Sequence, residues 1–236
     1  MFDNNPQAST GALSRVELHP LFRNVYMWMF MGLLTTTAVA VYTSTSGMML
    51  SLLANPPILI GAIIGELALV FILSAAINRL SATVAGVMFF AYSALNGFTL
   101  SLIFLAYELG TISIAFGVTA VLFGVMTVFA MTTQIDLTRY RSYFMMGLIG
   151  LVIAMVVNMF LGSGPLDYVI SMVGVLLFTA LAAYDTQVIK QMAQDPALMQ
   201  QDSDTLMKIS IIGALKLYLD FINLFLFLLR LFGGRD

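Results

Sequence analysis

The sequence predicts an all-α polytopic membrane protein with seven transmembrane helices, and three observations carry that expectation. Of its 236 residues, 60% are hydrophobic and 9% are charged, whereas a soluble domain carries about 25% charged residues. Mean hydropathy is +0.97. Stretches of about 20 mostly apolar residues follow one another along the chain, each long enough to cross the hydrocarbon core as a helix.

The first span runs from Val25 to Thr45, after a polar tail, residues 1–24, that holds Asp3, Arg15, Glu17, His19 and Arg23. A cleavable signal starts earlier and ends in a short small-residue site, so no signal peptide is expected. Asn55-Pro56-Pro57 stops the first helix and opens the second span, Pro57–Ile77, with proline in its first turn. Asn78-Arg79-Leu80-Ser81 ends that span, and the third is Val84–Leu105. Glu108-Leu109-Gly110 is a tight turn into the fourth, Thr111–Met131. The fifth, Tyr143–Gly162, is broken from the sixth, Tyr168–Val188, by Gly162-Ser163-Gly164-Pro165. The longest connection, 189–208, holds Asp195-Pro196, Asp202 and Asp204 and is a polar excursion, not a domain. The seventh span is Ile209–Phe232, followed by a tail of residues 233–236. One membrane domain, 25–232, leaves no room for a soluble one.

Basic residues alternate between loops. The N-terminal tail and the loops after spans two, four and six hold Arg15, Arg23, Arg79, Arg139, Arg141, Lys190 and Lys208, while the other three loops have no Lys or Arg. The positive-inside rule makes the N-terminus cytoplasmic. Arg230 and Arg235 at the opposite end work against that rule, which keeps a six-span version with a re-entrant last helix open. Net charge is −2, so nucleic acid is not an expected partner. There is no cysteine for a disulfide, a thiol nucleophile or a metal, and the lone His19 in the tail speaks against a histidine-based site.

Four ionisable residues lie inside spans away from their ends: Glu66, Asp185, Lys216 and Asp220. Left uncompensated in hydrocarbon they would cost on the order of 10–14 kcal/mol, so they must face the interior or water. Asp185 and Asp220 sit on neighbouring antiparallel spans, about one and three turns from the cytoplasmic end, where the two carboxyls can meet. Each has a plainer reading. Asp185 can be a wet helix cap, and Lys216 and Asp220, at i and i+4, can neutralise each other. Glu66 can bond a Ser, Asn or Tyr of the next helix as packing glue, and Arg79 can be a snorkelling anchor.

Gly213–Arg230, GALKLYLDFINLFLFLLR, resembles the most characteristic stretch of the Bax inhibitor (transmembrane Bax inhibitor motif, or lifeguard) family. AYDTQ at Ala183–Gln187, YSALNGFTLS at Tyr92–Ser101 and MTTQIDLT at Met131–Thr138 resemble its other markers, and the likeness extends from Val25 to Phe232. It is closest to bacterial inner-membrane members. The resemblance implies six helices around a central C-terminal one, and a buried pair, Asp185 and Asp220, that senses pH and gates a calcium leak favoured by acid. It implies a latch arginine at the end of helix two, for which Arg79 is the candidate, and it matches Glu66 to an acidic position. Some members instead bind and modulate a membrane-embedded ATP-dependent protease, and that is the alternative function.

Two carboxyls in contact share a proton and titrate as a coupled pair. Calcium prefers oxygen ligands, so Asp185, Asp220 and Glu66, with carbonyls and water, are a candidate weak and passing site, with Lys216 on the ion path. Calcium is then the permeant ion, and no cofactor is expected. A retinal protein is disfavoured by the order of Lys216 and Asp220 and by a single tryptophan, Trp28. No enzyme is expected: H-E-x-x-H, G-x-S-x-G and a phosphate loop are missing from the sequence, and Leu219-Asp220 lacks the Gly-x-Gly-Asp context of an intramembrane aspartyl protease.

Overall fold

A computed structural model describes residues 20–234, so most of the N-terminal tail, including His19, and Arg235 lie outside the described residues. Among those described there is no strand, and seven helices are long and apolar enough to cross a membrane. They are α1 (Pro20–Thr45), α2 (Pro56–Ala76), α3 (Ala82–Leu100), α4 (Leu109–Thr132), α5 (Arg141–Leu161), α6 (Gly164–Ala193) and α7 (Ser203–Phe232).

The ends follow local chemistry. Pro56 and Pro57 fill the first turn of α2, where a missing N–H costs nothing. The hydroxyls of Ser81 and Ser163 accept from Val84 N (3.3 Å) and Leu166 N (3.4 Å), capping α3 and α6, and Asp202 accepts from Thr205 N (2.8 Å) to cap α7. Gly162 closes α5 at φ +60°, a conformation that suits glycine.

Several helices differ from the spans expected of them. The first begins at Pro20, because Leu21 and Phe22 are buried in the bundle and extend it into the polar tail. It ends at Thr45, and Asn55-Pro56-Pro57 does not stop it. A short helix, Met48–Ala54, intervenes, so those residues only start α2. The third span is interrupted at Ser101 and Leu102 before a second short helix, Ile103–Ala106. Glu108 stands at the N-cap position of α4, without a side-chain cap, rather than starting a tight turn with Leu109 and Gly110, which are already helical. The last two spanning helices run on beyond the hydrocarbon expectation and shorten the excursion between them, which includes the short helix Pro196–Met199.

The last helix is the most buried. In α7, 72% of the most apolar stretch is buried, against 11–39% in the other six. It packs along α1, α3, α4 and α6, whereas α2 packs chiefly on α3 and α5 on α6. Rather than a re-entrant hairpin, α7 is one continuous 30-residue helix, long and apolar enough to cross a membrane. The outward faces are apolar, as at Phe71, Val121 and Phe160, and meet lipid without polar groups to satisfy. Close approach of α1 and α3 depends on Gly97, where a Cβ would run into the backbone carbonyl of Thr36.

Candidate functional site

The site is built on α6 and α7. Asp185 lies about two turns before the end of α6, and Asp220 lies past the middle of α7. Both are buried, 8% and 5% exposed, and their carboxyls are close enough to interact. The structure thus brings the two aspartates together, and Asp185 is not a wet helix cap. One oxygen of Asp220, Oδ2, is buried without a hydrogen-bond partner. A buried carboxylate oxygen in that state is costly unless a proton, a water or a cation serves it.

The cation beside the pair is Lys216. Its Nζ is 3.9 Å from Asp185 Oδ1, and its side chain is half exposed while that of Asp185 is 12% exposed. Lys216 and Asp220 share a face of α7 but form no ion pair, so the i, i+4 pair of the plainer reading is not made. The lysine reaches across to the neighbouring helix instead. Arg79, in the single turn Ile77–Arg79 that follows α2, is exposed and has no ion pair or hydrogen bond among the described residues. The structure does not bring this expected latch to the pair.

Glu66 is elsewhere. Its Oε1 accepts from the Thr99 hydroxyl (2.6 Å) and its Oε2 from Asn96 Nδ2 (3.4 Å). Asn96 Oδ1 in turn accepts from the Tyr218 hydroxyl (3.0 Å), which lies 2.7 Å from Thr36 Oγ1. This network joins α1, α2, α3 and α7 across the bundle. Tyr218 and Asp220 are two residues apart on one helix, hence about 200° apart around it. Glu66 therefore serves the Tyr218 side of α7, and the pair occupies the other side. Among the described residues no group of three or more His, Asp or Glu side chains is placed to hold a metal. The three-carboxylate calcium site expected of Asp185, Asp220 and Glu66 is thus divided in two by α7 itself.

Residues around Asp185 that sequence reasoning passed over hold its backbone in place. Thr186 Oγ1 is 3.0 Å from the Tyr26 hydroxyl, which is 3.1 Å from Thr127 Oγ1, so α6, α1 and α4 meet at one knot. Gln187 donates from Nε2 to Ile135 O (2.8 Å) and accepts at Oε1 from Leu137 N (2.6 Å). Lys190 Nζ donates to Met131 O (2.6 Å), and Tyr184 packs on Phe144 with ring centroids 5.1 Å apart. The signal was in the AYDTQ stretch, read only for its aspartate. In the adjoining loop Asp136 accepts from the Thr138 hydroxyl (2.6 Å) and pairs with Arg139 (3.0 Å), and the Thr138 hydrogen bonds above all hold its carboxyl below the usual range.

Comparison with known proteins gives the chain its family. The family model described as inhibitor of apoptosis-promoting Bax1 matches residues 18–236. The inner membrane protein YbhL of Escherichia coli (strain K12) is 45% identical over 234 residues, 99% of each chain. A protein of Borreliella burgdorferi is 42% identical over 212 residues, covering 89% of this chain and 90% of its own. One of Deinococcus radiodurans is 40% identical over 220 residues, 93% of each. The chain belongs to the Bax inhibitor family and is an integral membrane protein.

Proposed function

We propose that this Bax inhibitor family protein is a pH-sensitive calcium leak channel of the bacterial inner membrane, gated by Asp185 and Asp220, with its N-terminus in the cytoplasm. The observation that carries the reading is the buried contact of the two carboxyls, with one Asp220 oxygen unpartnered and one ammonium alongside. Such a contact has few stable states. The pair can share a proton, or one carboxylate can lean on Lys216, or both can ionise and separate toward water. Each state sets a different spacing between α6 and α7, and spacing is what a gate requires. Calcium, a hard cation, is served by carboxylate, backbone carbonyl and water oxygens on its way past the pair. Glu66, on the other side of α7, belongs on this reading to a structural network that fixes α2 to the bundle. No chemical step is assigned to the protein.

The test is calcium flux from loaded proteoliposomes of purified protein, without ATP, across pH 5 to 8. The parent is expected to leak more as pH falls. The double variant Asp185→Asn with Asp220→Asn keeps the shape but carries no titrating proton at these pH values, and its flux is expected to be flat with pH. A double variant with the parental profile would overturn the aspartyl gate. Modulation of a membrane-embedded ATP-dependent protease would then be the better reading, and pulldown with and without residues 1–23 would address it.

A further inference from the structure

A cavity of about 380 Å³ opens beside the pair, on the side of the bundle that holds the 194–202 connection. Its walls come from the turn after α2, the last turns of α6, Leu198 of the connection, and the first half of α7. Two ammonium groups line it, Lys208 and Lys216, and no carboxylate does. Most of the remaining wall is apolar, with Ile77, Ile189, Met192, Ile209 and Ile212. The lysines are eight positions apart, about 12 Å along the helix axis and about 80° apart around it. Side chains on a helix lean toward its N-terminus, so Lys216 leads down the cavity toward Lys208. The carboxylate partner of each lysine lies outside the lining: Asp185 for Lys216 at 3.9 Å, and Asp204 for Lys208 at 3.0 Å.

A calcium ion is repelled by such a lining, and a purely apolar guest would leave the half-exposed Lys216 unserved. The complement is an anion attached to a hydrocarbon body. Basic pockets between transmembrane helices on the cytoplasmic side are suited to anionic lipid headgroups, where the surface potential adds to the attraction.

We propose that this cavity binds the phosphate of an anionic phospholipid between Lys208 and Lys216, with the glycerol end of its chains against Ile77, Ile209 and Ile212. Lys216 then stands between two anions, Asp185 on its inner side and the lipid phosphate on its outer side. Lipid occupancy draws the ammonium away from the pair, which makes lipid composition a regulator of the gate. That last consequence rests on the aspartyl reading, whereas the binding itself does not.

Binding is therefore read without flux. Purified full-length protein is delipidated, then given phosphatidylglycerol, phosphatidylcholine of matched chains, or inorganic phosphate alone, and retained lipid is counted by native mass spectrometry. Preferential retention of phosphatidylglycerol is expected, reduced several-fold in the double variant Lys208→Gln with Lys216→Gln. It should be kept in Lys208→Arg with Lys216→Arg, which also checks that substitution at these positions is tolerated, and in Arg79→Gln at the same end of the bundle. Equal retention of both lipids overturns the proposal, as does a Gln double variant that binds like the parent. So does an Arg79→Gln loss equal to that of the Gln double variant, which would mean only general surface charge. Competition by millimolar inorganic phosphate as strong as by lipid would reassign the cavity to a soluble anion. A failure here leaves the aspartyl gate standing, because the pH-dependent flux of the Asn double variant decides that separately.

Discussion

Lys216 holds Asp185, on the neighbouring helix, at 3.9 Å and makes no ion pair with Asp220, four residues along its own helix. The choice follows from depth and exposure. Asp220 is the more deeply buried of the two acids, and a half-exposed ammonium that followed it inward would lose its water. Asp185 is the acid that Lys216 can reach from the cavity while keeping part of its charge hydrated.

On the proposed gating reading, this relationship makes Lys216, not Arg79, the charge expected to tune the pair. Lys216→Met is expected to move the midpoint of the calcium-flux profile between pH 5 and 8, and Arg79→Met to leave it in place. A shift with Arg79→Met and none with Lys216→Met would return the latch to the end of α2.

Orientation is open to a clean measurement because the chain has no cysteine of its own. A cysteine introduced at position 198, in the connection between α6 and α7, is expected to resist an impermeant thiol reagent added outside intact cells and to react once the membrane is opened. Labelling from outside would invert the whole assignment.

Asp202 supports α7 through its cap. Its carboxyl is held below the usual range first by the Thr205 hydroxyl and then by the Thr205 N–H. A depressed folded-state value means that the contribution is complete above the ordinary carboxylate pKa and is lost as pH falls through the lower folded value. Asp202→Ala should therefore lower Tm in detergent at pH 7, and the difference from the parent should narrow below about pH 4. A gap that stays constant down to pH 3 would contradict the cap's charge.

Two helical glycines make a matched pair. A methyl group at Gly97 meets the Thr36 carbonyl on α1, whereas one at Gly61 meets nothing within 4 Å. Gly97→Ala is expected to destabilise by about 1–3 kcal/mol through overpacking, read as a lower Tm, with Gly61→Ala neutral or slightly stabilising through helix propensity. Equal effects would mean that α1 and α3 can separate without cost.

The spans were legible because hydrocarbon sets their length and composition, and the membrane leaves little choice of backbone. The meeting of Asp185 and Asp220 was legible for a related reason, since neither acid can be isolated in lipid. What was hidden depends on helix rotation. Hydropathy ranks residues by depth but does not say which way a side chain faces, so Glu66 was grouped with acids that α7 separates from it, and the reach of Lys216 across to Asp185 went unread. The extra turns at Pro20 and beyond Val188 were missed because packing against other helices, not lipid, continues them. The knot at Thr186 and the bonds of Gln187 and Lys190 need the α4–α5 connection in place before they can be seen.

Those last bonds have a mechanical consequence. Gln187 and Lys190 fasten the final turns of α6 to the backbone at Met131, Ile135 and Leu137, within one turn and a half of Asp185. A rotation of α6 that parts Asp185 from Asp220 must carry the α4–α5 connection with it or break three hydrogen bonds. The movable part is then a jointed assembly, and the torque on it can be applied from the loop as well as from the acid. If the pair gates as proposed, a clamp on residues 133–140 from outside the bundle would brake it without touching either aspartate.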